Sequence, residues 1–170
     1  VKIDQARAAA AHRALYLPPP RLTTVVPTSE AEGLIWRYTT EAPADGWQQP
    51  DFDDSTWSAG PGVLGRQGTP GAVVRTEWHT DQIWARRTFE LPDALPANPF
   101  LRLHHDEDCV VYINGRQAAA VSGYSASYVL VPLADPRVLR PGRNTFAVHC
   151  RQTDGGQAID VGIVDVTERP

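Results

Sequence analysis

The densest run of titratable side chains is His104-His105-Asp106-Glu107-Asp108. Carboxylates and imidazoles in such number suit hydroxyl recognition, and the carboxylates could also supply oxygens to Ca2+, which takes roughly 6–8 of them. The run lacks the spacing of an EF-hand loop, and three consecutive carboxylates cannot all aim at one ion unaided. Zn2+ fits less well still, because adjacent His on a strand point to opposite faces. An acidic turn, with Asp106 and Asp108 bonding their own backbone, accounts for the run without any ligand. No cofactor is expected, and a structural Ca2+ in this turn is the sole candidate ion.

A second set is His149, Arg151 and Gln152, which run into Thr153-Asp154-Gly155-Gly156. A planar Arg fork and an amide are good partners for hydroxyls. The alternative is a solvated face whose ion pairs stabilise little. Loops carry binding residues more often than core strands do. Catalytic arrangements are not expected. His149 and Cys150 are neighbours on a strand and point apart, so they form no nucleophilic pair. No G-x-S-x-G elbow, P-loop or dinucleotide fingerprint occurs, and nothing marks two acids as a glycoside-cleaving pair.

The elements that must position these groups are mostly strands. Asp4 can cap a helix from Gln5 to Tyr16, which Pro18-Pro19-Pro20 ends. After Arg21 there are short runs between turn signals, about eight or nine strands. The clearest are Ile83 to Leu91, Phe100 to His105, Cys109 to Asn114, Gln117 to Val121, Asn144 to Gln152 and Ala158 to Val166. Leu22 to Val26, Gly33 to Tyr38, Ala72-Val73-Val74 and Ser127 to Leu133 are further candidates. Asn114-Gly115 is a strong hairpin turn. Parity puts Cys109, Val111 and Ile113 on one inward face, and Phe146, Val148 and Cys150 on another. His149 and Arg151 fall outward. The reading is all-β: an antiparallel sandwich or jelly roll with a short N-terminal helix before it.

Composition narrows the class. The chain has 170 residues, with 42% hydrophobic and 21% charged residues. That describes one soluble domain with a sizeable core. No run is long and apolar enough for a membrane helix. A net charge of −4 argues against nucleic acid as partner. There is no Met, so residue 1 reads as the start of a processed chain or a piece of a longer one. Of the basic residues only Lys2 is a lysine, a codon bias that makes Arg counts weak evidence of function.

Five segments, in order, resemble the galactose-binding-like jelly-roll domains, above all the sugar-binding domain of family 2 glycoside hydrolases and related accessory modules. They are Asp51-Phe52-Asp53-Asp54-Ser55-Thr56-Trp57, Gly60-Pro61-Gly62-Val63-Leu64-Gly65, Trp84-Ala85-Arg86-Arg87-Thr88-Phe89-Glu90-Leu91-Pro92, Val110-Val111-Tyr112-Ile113-Asn114-Gly115 and Leu139-Arg140-Pro141-Gly142-Arg143-Asn144. The resemblance runs from Leu34 to Val166. It departs from the plain pattern at His104–Asp108 and at Gln152–Gln157. It implies a sandwich over residues 21–170, with residues 1–20 as the tail of a preceding domain. It further implies a non-catalytic, carbohydrate-binding accessory domain of a secreted or periplasmic bacterial glycoside hydrolase, with polysaccharide and a neighbouring catalytic domain as partners. The other reading is a purely structural module that packs on a neighbouring domain.

For a sugar ligand the expected contacts are Trp78, His104, Asp106, Asp108, Tyr124, His149, Arg151 and Gln152. Among the five Trp, Trp78 lies in a polar run and is the preferred platform for a pyranose face. Trp36 and Trp57 read as core, Trp47 as a loop plug, and Trp84 has no settled face. Tyr124 and Tyr128, beside Gly123, are second choices. The two Cys are expected as buried, reduced thiols, with a disulfide as the minority outcome.

Overall fold

The structure is a computed structural model that describes residues 19–167 and, ahead of them, Gln5 alone. The helix expected before Pro18 therefore lies outside the described residues, apart from Gln5. Twelve strands follow: β1 (Arg21–Val26), β2 (Ile35–Thr39), β3 (Ser58–Pro61), β4 (Leu64–Gly65), β5 (Thr76–Glu77), β6 (Gln82–Leu91), β7 (Pro99–Asp106), β8 (Asp108–Ile113), β9 (Arg116–Val121), β10 (Val129–Pro132), β11 (Gly142–Arg151) and β12 (Ala158–Thr167). One sheet has the order β10-β7-β12-β4-β5, with β1 also on β12; the other runs β3-β2-β6-β11-β8-β9. Pairing is antiparallel except between β4 and β5. The all-β sandwich is as expected. Ala72-Val73-Val74 is not a strand, and Val73 is exposed. Its alternation is too short to find a partner.

Alternation fills the space between the sheets. From the second sheet come Trp36, Ile83, Phe89, Val111, Ile113, Phe146 and Val148; from the first come Leu101, Leu103, Ile159, Val161 and Ile163. Phe146 is the hub, with its centroid 4.3 Å from Phe89 and 6.3 Å from Trp36.

Three polar joints lock this core. Asn114 takes a left-handed φ of 52° in the β8–β9 turn, a conformation Asn tolerates better than most residues. Its amide nitrogen donates to Val138 O (2.8 Å) and Asn144 Oδ1 (2.7 Å), and its oxygen accepts from Thr145 N (3.0 Å). Asn144, fully buried, also donates to Arg140 O and Gly142 O at 2.7 and 2.8 Å and accepts from Arg140 N at 3.1 Å. All four hydrogen-bonding positions of its amide are thereby used. The second joint is Arg86 on the outer face of β6. Its Nε bonds Asp54 Oδ2 at 2.7 Å, and it also donates to Trp47 O, holding the 40–57 loop on the sheet. The third is Arg87, one residue on and facing inward. It donates to Val161 O (2.8 Å) and Pro27 O (3.0 Å) across the sandwich.

Cys109 and Cys150 are buried free thiols and direct register partners on β8 and β11. Burial, with Cys150 beside it, pushes the Cys109 thiol well above its ordinary range. Sequence had left open whether these strands are neighbours.

Two outcomes follow from this packing. Asn144→Ala removes four hydrogen bonds and leaves buried partners unpaired, so chemical denaturation should show a loss of about 3 kcal/mol at ~1 kcal/mol per bond, less relaxation. An unchanged midpoint would show that the joint carries no stability. A thiol reagent should label neither Cys in the folded protein and both after unfolding without reductant. Silence after unfolding would reveal a bridge between the register partners.

Candidate functional site

Several connections meet at one end of the sandwich: β4–β5, β7–β8, β9–β10 and β11–β12. The β9–β10 loop is pinned there by backbone bonds. Ser125 N donates to His105 O at 2.8 Å, Ser125 Oγ bonds His105 N and O at 3.1 Å, and Gly123 N donates to Asp108 Oδ1 at 2.9 Å. Gly123, with φ 75°, makes the bend that a side chain would strain. Between these anchors Tyr124 forms a lone β-bridge with Asp106 and stands 72% exposed.

Beside Tyr124 the β11–β12 loop turns back. Thr69 Oγ1 accepts from Gln157 N at 3.0 Å and donates to Arg66 O at 2.8 Å, tying that loop to the β4–β5 connection. Gly156 packs close: a Cβ there would lie 2.5 Å from Asp106 Oδ2 and 3.0 Å from Thr69 Cγ2, and those side chains would have to give way. The result is a groove of about 270 Å3 lined by Pro70, Tyr124, Glu107 and Asp154, with the buried Asp106 beneath. Burial raises the Asp106 carboxyl above its ordinary range, against the opposing pull of His104 and His105. An exposed ring beside carboxylates offers one apolar platform and several hydroxyl acceptors.

The structure brings only some of the expected residues to this groove. Asp106 and Tyr124 line it, and Asp108 lies behind, holding Gly123. His104 does not reach it. It is 0% exposed, edge-on to Tyr128 with centroids 5.3 Å apart, and its Nε2 bonds Pro70 O at 3.0 Å. Burial lowers its pKa. Trp78 is a correction: it is 2% exposed and part of the core. Its polar neighbours suggested a surface loop. The β4–β5 pairing and the bond from Trp78 N to Gly65 O (3.0 Å) instead turn the indole inward.

His149, Arg151 and Gln152 belong to the second sheet at the same end. His149 stacks flat on Trp84, with centroids 4.6 Å apart and planes 6° apart, and its Nε2 meets Gln82 Oε1 at 2.9 Å. Burial first, then the Arg151 charge, lowers its pKa. Arg151 is exposed and faces Asp108 in register on one side and Gln82 on the other. Gln152 donates its backbone N–H to Asp81 O at 2.7 Å. These three lie at the end of β11, between β6 and β8, and are not part of the groove.

Tyr128 is also structural. Its hydroxyl donates to Asp160 Oδ2 at 2.6 Å, and the Arg102 guanidinium lies 5.2 Å over its ring. Arg102 in turn holds Glu30 with two bonds at 2.7 and 2.8 Å. Sequence reasoning missed Glu107, Asp154 and Pro70 as groove residues, although the Asp154-Gly155-Gly156 loop carried a signal. Among the described residues no group of three or more His, Cys, Asp or Glu converges as a metal-holding set, and no helix is long and apolar enough to cross a membrane.

No protein-family model matches the sequence. Over 24 residues, 14% of this chain and 2% of the relative, the sequence is 62% identical to an alpha-L-rhamnosidase of Streptomyces avermitilis. Among solved structures, a family 2 glycosyl hydrolase from Bacteroides cellulosilyticus superposes with a TM-score of 0.56 at 18% identity, over 79% of this chain and 20% of that one. A beta-glucuronidase of Bacteroides uniformis gives 0.57 at 18%, over 87% and 18%. A beta-glucuronidase of Ruminococcus gnavus gives 0.57 at 14%, over 88% and 29%. The chain thus spans less than a third of each of these structures. Its fold is that of a β-sandwich found within family 2 glycoside hydrolases, the architecture that the five sequence segments implied.

Proposed function

We propose that the chain is a non-catalytic accessory domain of a larger bacterial glycoside hydrolase, secreted or periplasmic, that binds carbohydrate at the Tyr124 groove beside a catalytic neighbour. In this reading residues 21–170 form the accessory sandwich and residues 1–20 the tail of the domain before it. The observation that carries the reading is an aromatic ring left 72% exposed by a loop whose backbone is anchored on both sides, in a groove lined also by Glu107 and Asp154. A pyranose ring would set its C–H face on Tyr124 and donate its hydroxyls to Asp106, Glu107 and Asp154. The shallow contact supports weak, millimolar binding.

The second reading is a structural module. It is favoured by Leu22 and Leu130, both partly exposed on the first sheet, where a neighbouring domain would find apolar contact.

Titration of the protein with neutral oligosaccharides, followed by NMR shifts, separates the two. Shifts should cluster at Gly123–Ser125 and Asp154–Gly156. Tyr124→Ala should weaken binding about tenfold, the ~1.4 kcal/mol that an aromatic contact supplies. Absence of any shift at millimolar sugar would replace the binding reading with the structural one.

A further inference from the structure

A second concavity, of about 280 Å3, lies on the outer face of the second sheet, remote in the fold from the Tyr124 groove. Its floor is a row of Ile35, Thr88 and Thr145, the last two being register partners on β6 and β11. The loop residues Pro50 and Phe52 wall one side. Arg37, Arg86 and Arg143 ring it.

The placement of these arginines matters more than their number. Arg37 and Arg86 stand directly opposite each other on β2 and β6. Like charges so placed repel. Asp54 neutralises one of the two, through its 2.7 Å bond to Arg86 Nε. Arg37 spends one N–H on Trp57 O at 3.2 Å, and among the described residues has no acid within 4.0 Å. Arg143 is exposed and likewise has no acid partner there. Glu90 faces Arg143 in register but does not line the concavity. The rim therefore carries two uncompensated guanidinium groups above two threonines.

We infer that this concavity is an oxyanion site that takes an acidic sugar residue, a uronate or a sulfated pyranose. The guanidinium forks of Arg143 and Arg37 match the planar or tetrahedral oxyanion, and the threonine hydroxyls supply further polar contacts. The volume exceeds what a bare anion fills, at the ~30 Å3 a single water occupies. Ile35, 61% exposed, and Phe52 add apolar surface that a sugar's C–H face would cover. The site is separate from the Tyr124 groove and goes beyond the carbohydrate reading by naming a charge class.

The test titrates the whole chain with tri-galacturonate, a sulfated disaccharide, neutral maltotriose, inorganic sulfate and a glutamate hexapeptide, read by calorimetry and NMR. At least one acidic sugar should bind, with shifts at Thr88 and Thr145, and weaken as salt rises from 50 to 200 mM on the order expected for exposed charges. Arg143→Gln and Arg37→Gln, both at exposed positions, should each weaken it about tenfold, the size of a lost charge-assisted bond. Tyr124→Ala should leave it unchanged. Which acidic sugar binds more tightly identifies the oxyanion. Equal binding of maltotriose, of sulfate alone or of the peptide would overturn the inference. So would acidic-sugar binding that survives both Arg substitutions; if it is lost in Tyr124→Ala, the groove reading stands and only this site falls.

Discussion

A guanidinium turned into a β-sandwich needs acceptors, and the half-buried Arg87 draws them from the far side of the interior while its Nε stays unpaired. It projects from β6 into the interior, lies 4.9 Å over Trp36 and 5.5 Å over Phe146, and reaches the carbonyls of Pro27 and Val161 on the other side. Burial lowers its pKa, and the Asp160 charge pulls the other way. Asp160 is itself raised by burial, and its Oδ2 accepts from Tyr128 and from Ser29 N. Ser29 and Tyr128 thus converge on Asp160, as Pro27 and Val161 converge on Arg87.

The segments that carry the sequence resemblance turn out to be joints that meet one another. Asp54, from the acidic loop, holds Arg86 from the paired-arginine strand. Phe52 of the same loop sits 5.4 Å from that guanidinium and edge-on to Trp57. Asn114 of the hairpin holds Asn144 of the Pro141-Gly142 turn. This explains why the motifs speak clearly for the architecture. The groove residues Tyr124 and Asp154 lie in the connections between the joints.

Strand parity was legible because it is a local property: Cys109, Val111 and Ile113 face inward as alternation requires, and so do Phe146, Val148 and Cys150. What failed was inference from polar neighbours. Trp78 sits among Glu77, His79 and Asp81, which suggested solvent, yet its environment is set by β4 and the core, which are far from it in sequence. His104 and His105 were expected to face opposite ways, and both are buried because Tyr128 and Pro70 cover one side of β7 and Ser125 the other end. The Arg37–Arg86 opposition was equally unreadable, since it depends on the register of β2 against β6. Long-range register, not propensity, separates what a chain of this kind discloses from what it withholds.

The first and last strands close the body on itself. Arg21 at the start of β1 is the register partner of Thr167 at the end of β12. Cα atoms so paired stand only about 5 Å apart. The first and last described strands thus begin and end at one point on the surface. Such a body can be spliced into a turn of another domain without prising that turn open, and its ends can be joined and new ones cut elsewhere.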